Sequence, residues 1–171
     1  LDLSHLERRR GSTLLCLLVH VLVIATATQA RAQTLGEALN SPDLEWTTGG
    51  DAEWYIDSSV NHDGISAARS GLITDGQSSW IETTVSGPCD LSFWWRASSE
   101  FSDVLQFSLN GGVVAEISGF WGEPEWEKRT FSLGAGISSL RWTYAKDTGF
   151  AGGEDACWLD AVSLTAADLA V

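Results

Sequence analysis

Alternation of apolar and polar residues over short runs is the feature that most restricts how this chain can fold. In the run DLSFWWRAS, at residues 90–98, every second position is apolar: Leu91, Phe93, Trp95 and Ala97. Successive side chains of a β-strand point to opposite faces, so this spacing predicts a strand with one buried face. The other face of that strand is expected to carry Ser92, Trp94 and Arg96.

Runs of this kind recur along most of the chain, with turn residues between them. Asn110-Gly111, for example, predicts a hairpin turn, because both residues tolerate positive φ. A single helical turn is expected at residues 34–40. The predicted strands cover residues 53–57, 65–70, 79–85, 90–98, 104–109, 113–118, 126–133, 138–145 and 156–164. The pattern therefore predicts an all-β fold, an antiparallel β-sandwich of about nine strands.

The beginning of the chain has the pattern of a secretion signal. Three arginines at positions 8–10 precede an apolar stretch at residues 14–27. Ala30 and Ala32 then fit the small-residue positions of an A-x-A cleavage site, which predicts a cut before Gln33. The apolar stretch is shorter than the ~20 residues that a membrane span needs, so cleavage is favoured over a retained signal anchor.

Cleavage at this site would define a single exported domain. Residues 1–32 are expected to be the signal peptide, and residues 33–171 one domain with its core at about 37–164. The length of that segment suits one hydrophobic core. We expect the domain to be secreted or at the cell surface, in the periplasm or outside the cell, without a membrane span.

The net charge of the chain limits the classes of partner that it can bind. It has 23 acidic and 10 basic residues and a formal net charge of -13 at pH 7. Nucleic acids and anionic lipids are bound largely through Lys and Arg, so these partners are excluded. The nine Trp residues are typical of secreted sugar-binding domains, but Trp also fills sandwich cores.

Five segments, taken in order, resemble MAM-like jelly-roll domains, especially those of secreted bacterial proteins. They are GISAARSG (64–71), GPCDLSFWWRASSE (87–100), DVLQFSLNGG (103–112), EWEKRTFSL (125–133) and GEDACWLDAVSL (153–164). Carbohydrate-binding jelly rolls share the same architecture. The resemblance implies an antiparallel jelly-roll β-sandwich that serves as a non-catalytic extracellular module for adhesion, oligomer contact or glycan binding. Two features depart from the MAM pattern, namely a smaller number of Cys residues and Ala161 in place of a second Asp.

The resemblance also implies a structural Ca²⁺ that ties the first strand, a Gly-containing loop and the last strand together. The matching positions in this chain are Asn40, Asp63 and Asp160. Ca²⁺ is held by six to eight oxygens from carboxylates and carbonyls, which short acidic loops supply. The alternative is that Asp160 is a strand-end carboxylate bonded to backbone N–H groups.

The two cysteines after the signal, Cys89 and Cys157, invite a disulfide, because exported proteins commonly form them. The alternative is a pair of buried free thiols that behave as small apolar residues. Strand alternation places Cys157 on the side of the last strand that also carries Leu159, Ala161 and Ser163. It places Asp160 on the opposite side, with Trp158, Val162 and Leu164.

The segment SGFWGEPEW, at residues 118–126, is the strongest candidate for ligand binding. It places Phe120, Trp121 and Trp126 around a Gly/Pro-containing loop, where aromatic rings are available to stack on sugar rings or to anchor a protein partner. Trp80 and Trp94 could add a platform. The remaining Trp residues considered are expected in the core: Trp54, Trp95, Trp142 and Trp158.

No catalytic motif accompanies these features. The predicted domain has a single histidine, His62, in a turn, and its pairing with Cys89 as a thiol-protease dyad has little support. We therefore expect a non-enzymatic secreted module that binds an extracellular glycan or protein. The alternative is a structural or accessory domain, as part of a larger exported hydrolase or surface protein.

Overall fold

Two long strands, β4 and β7, organise the fold. The computed structural model describes residues 31–119 and 125–167. Within these ranges no helix is long and apolar enough to cross a membrane. The elements are α1 (Leu35–Ala38), β1 (Thr47–Gly50), β2 (Tyr55–Asp57), β3 (Ala67–Arg69), β4 (Ser78–Ser98), β5 (Val104–Leu109), β6 (Gly112–Ser118), β7 (Glu127–Ala145) and β8 (Ala156–Ala166).

The strands form one antiparallel path, β2-β3-β8-β4-β7-β5-β6, with β1 paired to β4. The first half of β4, residues 78–87, pairs with β1 and with the second half of β7. The second half, residues 89–98, pairs with β8 and with the first half of β7. The rings of Phe93 and Phe107, from different halves of the path, have centroids only 5.1 Å apart. The path therefore folds over into two layers that enclose a core.

These two layers confirm the predicted all-β antiparallel jelly-roll sandwich. The described residues contain eight strands rather than nine, because two pairs of expected strands are continuous and one strand, β1, was not expected from the sequence. The register of β4 shifts between Gly87 and Cys89, around Pro88, which has no N–H to donate to the ladder. Gly136, opposite Gly87, has a φ of 107°. Pro and Gly here mark a bend within the strands and not the ends of strands.

The core has the composition that the alternation predicted. Leu91, Phe93 and Trp95 are fully buried, and Ala97 is 3% exposed. Phe93 also packs edge-on against Trp142 of the opposite layer, at 5.1 Å between centroids. The four Trp residues that were expected inside are all buried: Trp54, Trp95, Trp142 and Trp158.

Two local predictions are also confirmed. Asn110 and Gly111 join β5 to β6 with φ values of 51° and 83°, as the hairpin requires. The expected helical turn is α1, whose first turn is closed by a capping box between Thr34 and Glu37. A capping box satisfies two backbone N–H groups that would otherwise lack partners.

The predicted alternation of the last strand is wrong beyond Asp160. Ala161 has a φ of 48°, and the pairing of β8 with β4 slips by one residue there. Such a β-bulge places two residues opposite one, so the faces exchange after it. Val162 and Leu164 therefore pack in the main core with Cys157 and Leu159, and not beside Trp158 as expected.

The predicted Cys89–Cys157 disulfide is wrong, because both cysteines are free and buried. Cys157 pairs with Ala97 at one end of β4, and Cys89 lies eight residues away along the same strand. Eight residues of strand span roughly 27 Å, whereas a disulfide needs Cα atoms about 4–7 Å apart. Both thiols instead fill space in the main core.

A buried lysine joins the loops at one end of the sandwich. The side chain of Lys146, just after β7, is 1% exposed. Its Nζ lies 3.3 Å from Asp103 Oδ2, 3.7 Å from Asp75 Oδ1, and in contact with Asp155. The Asp103 contact is an ion pair without good hydrogen-bond geometry. Three loops thus share one cation, and removal of that cation would leave buried negative charge.

We expect reducing agent to leave the melting temperature of the native protein unchanged. Both thiols should react with a maleimide only after denaturation, since Cys89 and Cys157 are buried and free. Mass spectrometry of alkylated protein, prepared without reduction, checks this. A peptide pair linked through Cys89 and Cys157 would contradict it.

Lys146→Met should destabilise the fold by about 3–5 kcal/mol, because it strands the carboxylates of Asp103 and Asp155 without their cation. Urea unfolding measures the change. Arg141→Met is the control, since the Arg141–Glu82 pair is substantially exposed and should cost at most about 1 kcal/mol. Equal losses in the two variants would contradict a special role for Lys146.

The stability difference between wild type and Lys146→Met should depend on pH. Burial alone would lower the pKa of Lys146, but its contacts with the carboxylates of Asp155 and Asp103 outweigh burial and raise the pKa above the usual value. A raised folded-state pKa means that the contribution of Lys146 is complete below the unfolded lysine pKa of about 10.4. As the pH is raised from neutral, the stability difference between wild type and Lys146→Met should therefore shrink only above that value. A difference that shrinks between pH 7 and 9 would contradict this.

Candidate functional site

The outer face of one layer carries an unusual group of aromatic residues. Trp94 occupies an outward position of β4, as the alternation predicted. Its register partners are Lys128 on β7 and Asp160 on β8. Trp126 lies just before β7, and residues two apart on an extended chain share a face. Trp94 and Trp126 therefore belong to the outer surface of the layer, and both are only partly buried.

His62 completes this group from the loop between β2 and β3. Its ring stacks on Trp94, with centroids 3.9 Å apart and an interplanar angle of 18°. The same ring meets Trp126 edge-on at 5.8 Å. We call His62, Trp94 and Trp126 the aromatic cluster. His62 itself is exposed, so the cluster reaches the solvent.

A buried carboxylate fixes the position of His62. Asp160 is completely buried, and its Oδ2 accepts the backbone N–H groups of His62 at 2.7 Å and Asp63 at 3.2 Å. Its Oδ1 accepts the N–H of Ala161 at 2.6 Å. Burial raises the pKa of Asp160, and these three bonds oppose the rise. The β2–β3 loop is therefore held onto the outer face by the last strand.

Next to the cluster, Trp158 lies between two arginines and is closed to solvent. Arg69 and Arg96 have their guanidinium carbons 5.1 and 4.8 Å from its ring centroid. The indole N–H donates to Asp57 Oδ2 at 3.0 Å. Burial raises the pKa of Asp57, but hydrogen bonds from Ser59 and Trp158 outweigh burial and lower it. Trp158 is thus a structural support beside the aromatic cluster, with no exposed surface for a ligand.

The structure brings the predicted calcium residues together. Asn40 Nδ2 donates to Asp63 Oδ2 at 2.8 Å, and the N–H of Asp63 donates to Asp160. Asp63 Oδ1 accepts the N–H of Ile65 at 2.7 Å. Every carboxylate oxygen of the two aspartates therefore already accepts an N–H group, and Asn40 presents its NH₂. In this arrangement the three side chains form a hydrogen-bonded tie, and their role as oxygen ligands of Ca²⁺ stays a prediction.

A second group of acidic residues lies close to Lys146. Carboxylate oxygens of Glu100, Asp103 and Asp147 all lie within 4.8 Å of one another. Asp103 Oδ1 accepts the N–H of Asp147 at 3.0 Å. Burial raises the pKa of Asp103, against the opposing effect of the Asp147 N–H and of Lys146. Of these three residues, Asp103 is paired with Lys146.

The predicted ligand-binding residues are only partly described. Phe120 and Trp121 lie outside the described residues, so their prediction stays open. Trp126 lies in the aromatic cluster. Trp80, the other suggested platform residue, lies on the outer face of the opposite layer, with the Arg141 guanidinium carbon 4.2 Å from its ring centroid. His62 was missed, because its stacking depends on a contact between loop and strand that the local pattern does not encode.

No family model matches the chain, and no curated protein matches it. Several solved structures match the chain. The K2 cleaved adhesin domain of Lys-gingipain has a TM-score of 0.53 at 16% identity, over 82% of this chain and 94% of that one. The K3 domain from Porphyromonas gingivalis w83 has a TM-score of 0.52 at 15% identity, over 71% and 91%. The secreted serine protease VesC from Vibrio cholerae has a TM-score of 0.51 at 15% identity.

These similarities establish the fold alone. The match to VesC covers 67% of this chain but only 25% of the protease chain. The two adhesin domains, by contrast, are matched over nearly their whole length. The same fold thus occurs as an adhesin domain of Lys-gingipain and as part of the longer VesC protease chain.

We expect Asp160→Asn to destabilise the protein by about 1–3 kcal/mol, because an amide cannot accept all the N–H groups that the buried carboxylate accepts. Urea unfolding with added Ca²⁺ and with EDTA should give the same loss. Asp90→Asn, at a more exposed carboxylate of the same layer, is the control. A rise in the wild-type melting temperature with Ca²⁺ that Asp160→Asn abolishes would overturn the hydrogen-bonded tie and establish a calcium site.

Proposed function

We propose that this protein is a secreted, non-catalytic module of the MAM-like or carbohydrate-binding type, which binds an extracellular glycan through the aromatic cluster. The observation that carries the proposal is the stack of His62 on Trp94, with Trp126 beside it, on the solvent side of a sheet. Large aromatic residues at outward strand positions do not contribute to the main core. They offer flat apolar faces of the kind on which sugar rings stack.

Pre-organisation of the cluster supports binding. Asp160 holds the loop of His62, and the two Trp residues stand on or next to strands of the same layer. A surface that is already ordered loses little conformational entropy when a ligand arrives. The adhesin domains with the same fold support a module of this kind, although their similarity does not identify a ligand.

The chemistry of the thiols supports a non-catalytic role. Burial raises the pKa of the Cys157 thiol, and a thiol is a poor nucleophile in that state. Cys89 faces the main core, about five residues along β4 from Trp94, on which His62 stacks. A Cys89–His62 dyad would therefore have to cross the sheet.

The alternative is an accessory domain of a larger exported protein. The partial match to VesC favours it, since there the shared fold is a quarter of a longer chain. The two proposals are compatible, because an accessory domain can direct its parent protein to a glycan. They differ in whether the isolated chain binds a polysaccharide.

Trp94→Ala should weaken retention on the polysaccharide that the wild type binds by at least about tenfold, since it removes the ring on which His62 stacks. Affinity electrophoresis against a panel of neutral and acidic polysaccharides measures this. Trp80→Ala is the matched control, because Trp80 is also partly buried on an outer face but belongs to the opposite layer.

Melting temperatures of both variants establish that they are folded. Equal retention of the two folded variants would count against the aromatic cluster. Failure of the wild type to bind any polysaccharide in the panel would reject glycan binding and favour the accessory domain.

A further inference from the structure

Beyond the aromatic cluster, the outer face of the same layer continues as two rows of small polar residues. In the first row, Ser92 of β4 lies between Thr130 of β7 and Ser163 of β8. In the second row, Asp90 of β4 lies between Ser132 of β7 and Thr165 of β8. We call these six residues the polar strip: Thr130, Ser92, Ser163, Ser132, Asp90 and Thr165.

The polar strip is open to solvent and nearly uncharged. Ser92 and Asp90 in its central strand are partly buried, and the four flanking residues are exposed. Five of its six members are hydroxyl residues. Its only charged member, Asp90, accepts the hydroxyl of Ser132 at 2.7 Å. Lys128 adjoins the strip as the register partner of Trp94.

The strip is continuous with the cluster, and together they are longer than one sugar ring. Trp94, Ser92 and Asp90 are successive outward positions of β4, so the line from Trp94 to Asp90 is about 14 Å long. The surface has aromatic rings at one end and hydroxyl donors and acceptors along the rest. This combination can orient a polar ligand that also has apolar faces.

We propose that the polar strip binds an uncharged, linear polysaccharide, whose chain runs along β4 with one ring on the aromatic cluster. This inference rests on the proposed function and specifies its ligand. A strongly acidic protein repels polyanions at long range, and the strip offers no set of cations to offset that repulsion. A second copy of the chain fits less well, because a stable protein interface needs an apolar centre that the strip lacks.

The test compares short and long ligands. The probes are disaccharides and hexasaccharides of the cello-, xylo- and manno- series, with affinities measured by calorimetry. Wild type should bind a hexasaccharide at least roughly tenfold tighter than the matching disaccharide, a difference of about 1.4 kcal/mol. Thr130→Glu should abolish that gain, because it places a charge and a larger side chain in the first row.

Thr84→Glu is the matched control, because Thr84 is an exposed outward residue in the other half of β4 and carries the same substitution. It should keep the full gain with chain length. The inference is overturned if wild type shows no gain with length, or if Thr130→Glu and Thr84→Glu behave alike.

The outcomes separate this inference from the proposed function. Disaccharide binding that depends on Trp94, without a gain for longer chains, would reject the polar strip and keep the glycan-binding module. Binding of no saccharide would reject both. Tighter binding of polygalacturonate than of neutral chains would overturn the uncharged class. A dimer that Thr130→Glu dissociates would assign the strip to a second copy.

Discussion

The antiparallel pairing of β4 with β7 is the constraint on which the rest of the structure depends. It runs from Ser78 to Trp95 through both layers, with its one shift around Pro88. Because the two strands are shared by both layers, the inward residues of one half must meet those of the other. The contacts of Phe93 with Phe107 and Trp142 are the result, and they join the layers through interlocked aromatic rings. The outward residues of β4 are set by the same pairing, and they include Trp94 and the central residues of the polar strip.

The second constraint is the buried carboxylate of Asp160, which connects the last strand to the β2–β3 loop. An ionised group with no exposure is tolerated only when its oxygens are satisfied, and three backbone N–H groups do this. The bulge at Ala161 gives the chain the turn that one of these bonds requires. Asp160 thus connects the last strand of the sandwich to the loop that carries His62.

The sequence predicted the parts of the fold that follow from alternation. The inward residues of the second half of β4, the Asn110-Gly111 hairpin and the four core Trp residues are all where the pattern placed them. It failed where one residue changes the register. The bulge at Ala161 exchanges the faces of β8, and no local signal marks it, because Ala is an ordinary strand residue with no preference for positive φ. Export alone suggested the disulfide, but Cys157 of β8 pairs with Ala97, eight residues along β4 from Cys89.

The candidate site shows the same division between local and distant information. Trp94 could be placed on the outer face by counting positions in one strand. The backbone contact of His62 with Asp160 joins residues 98 positions apart, and the ring contact with Trp94 joins a loop to a strand on the outer face. Such contacts depend on how the last strand docks beside β4, which is a property of the whole sandwich. The residues that order a surface for binding are therefore the least visible in a single sequence. The polar strip, which consists of outward positions on adjacent strands, becomes visible only once the register is known.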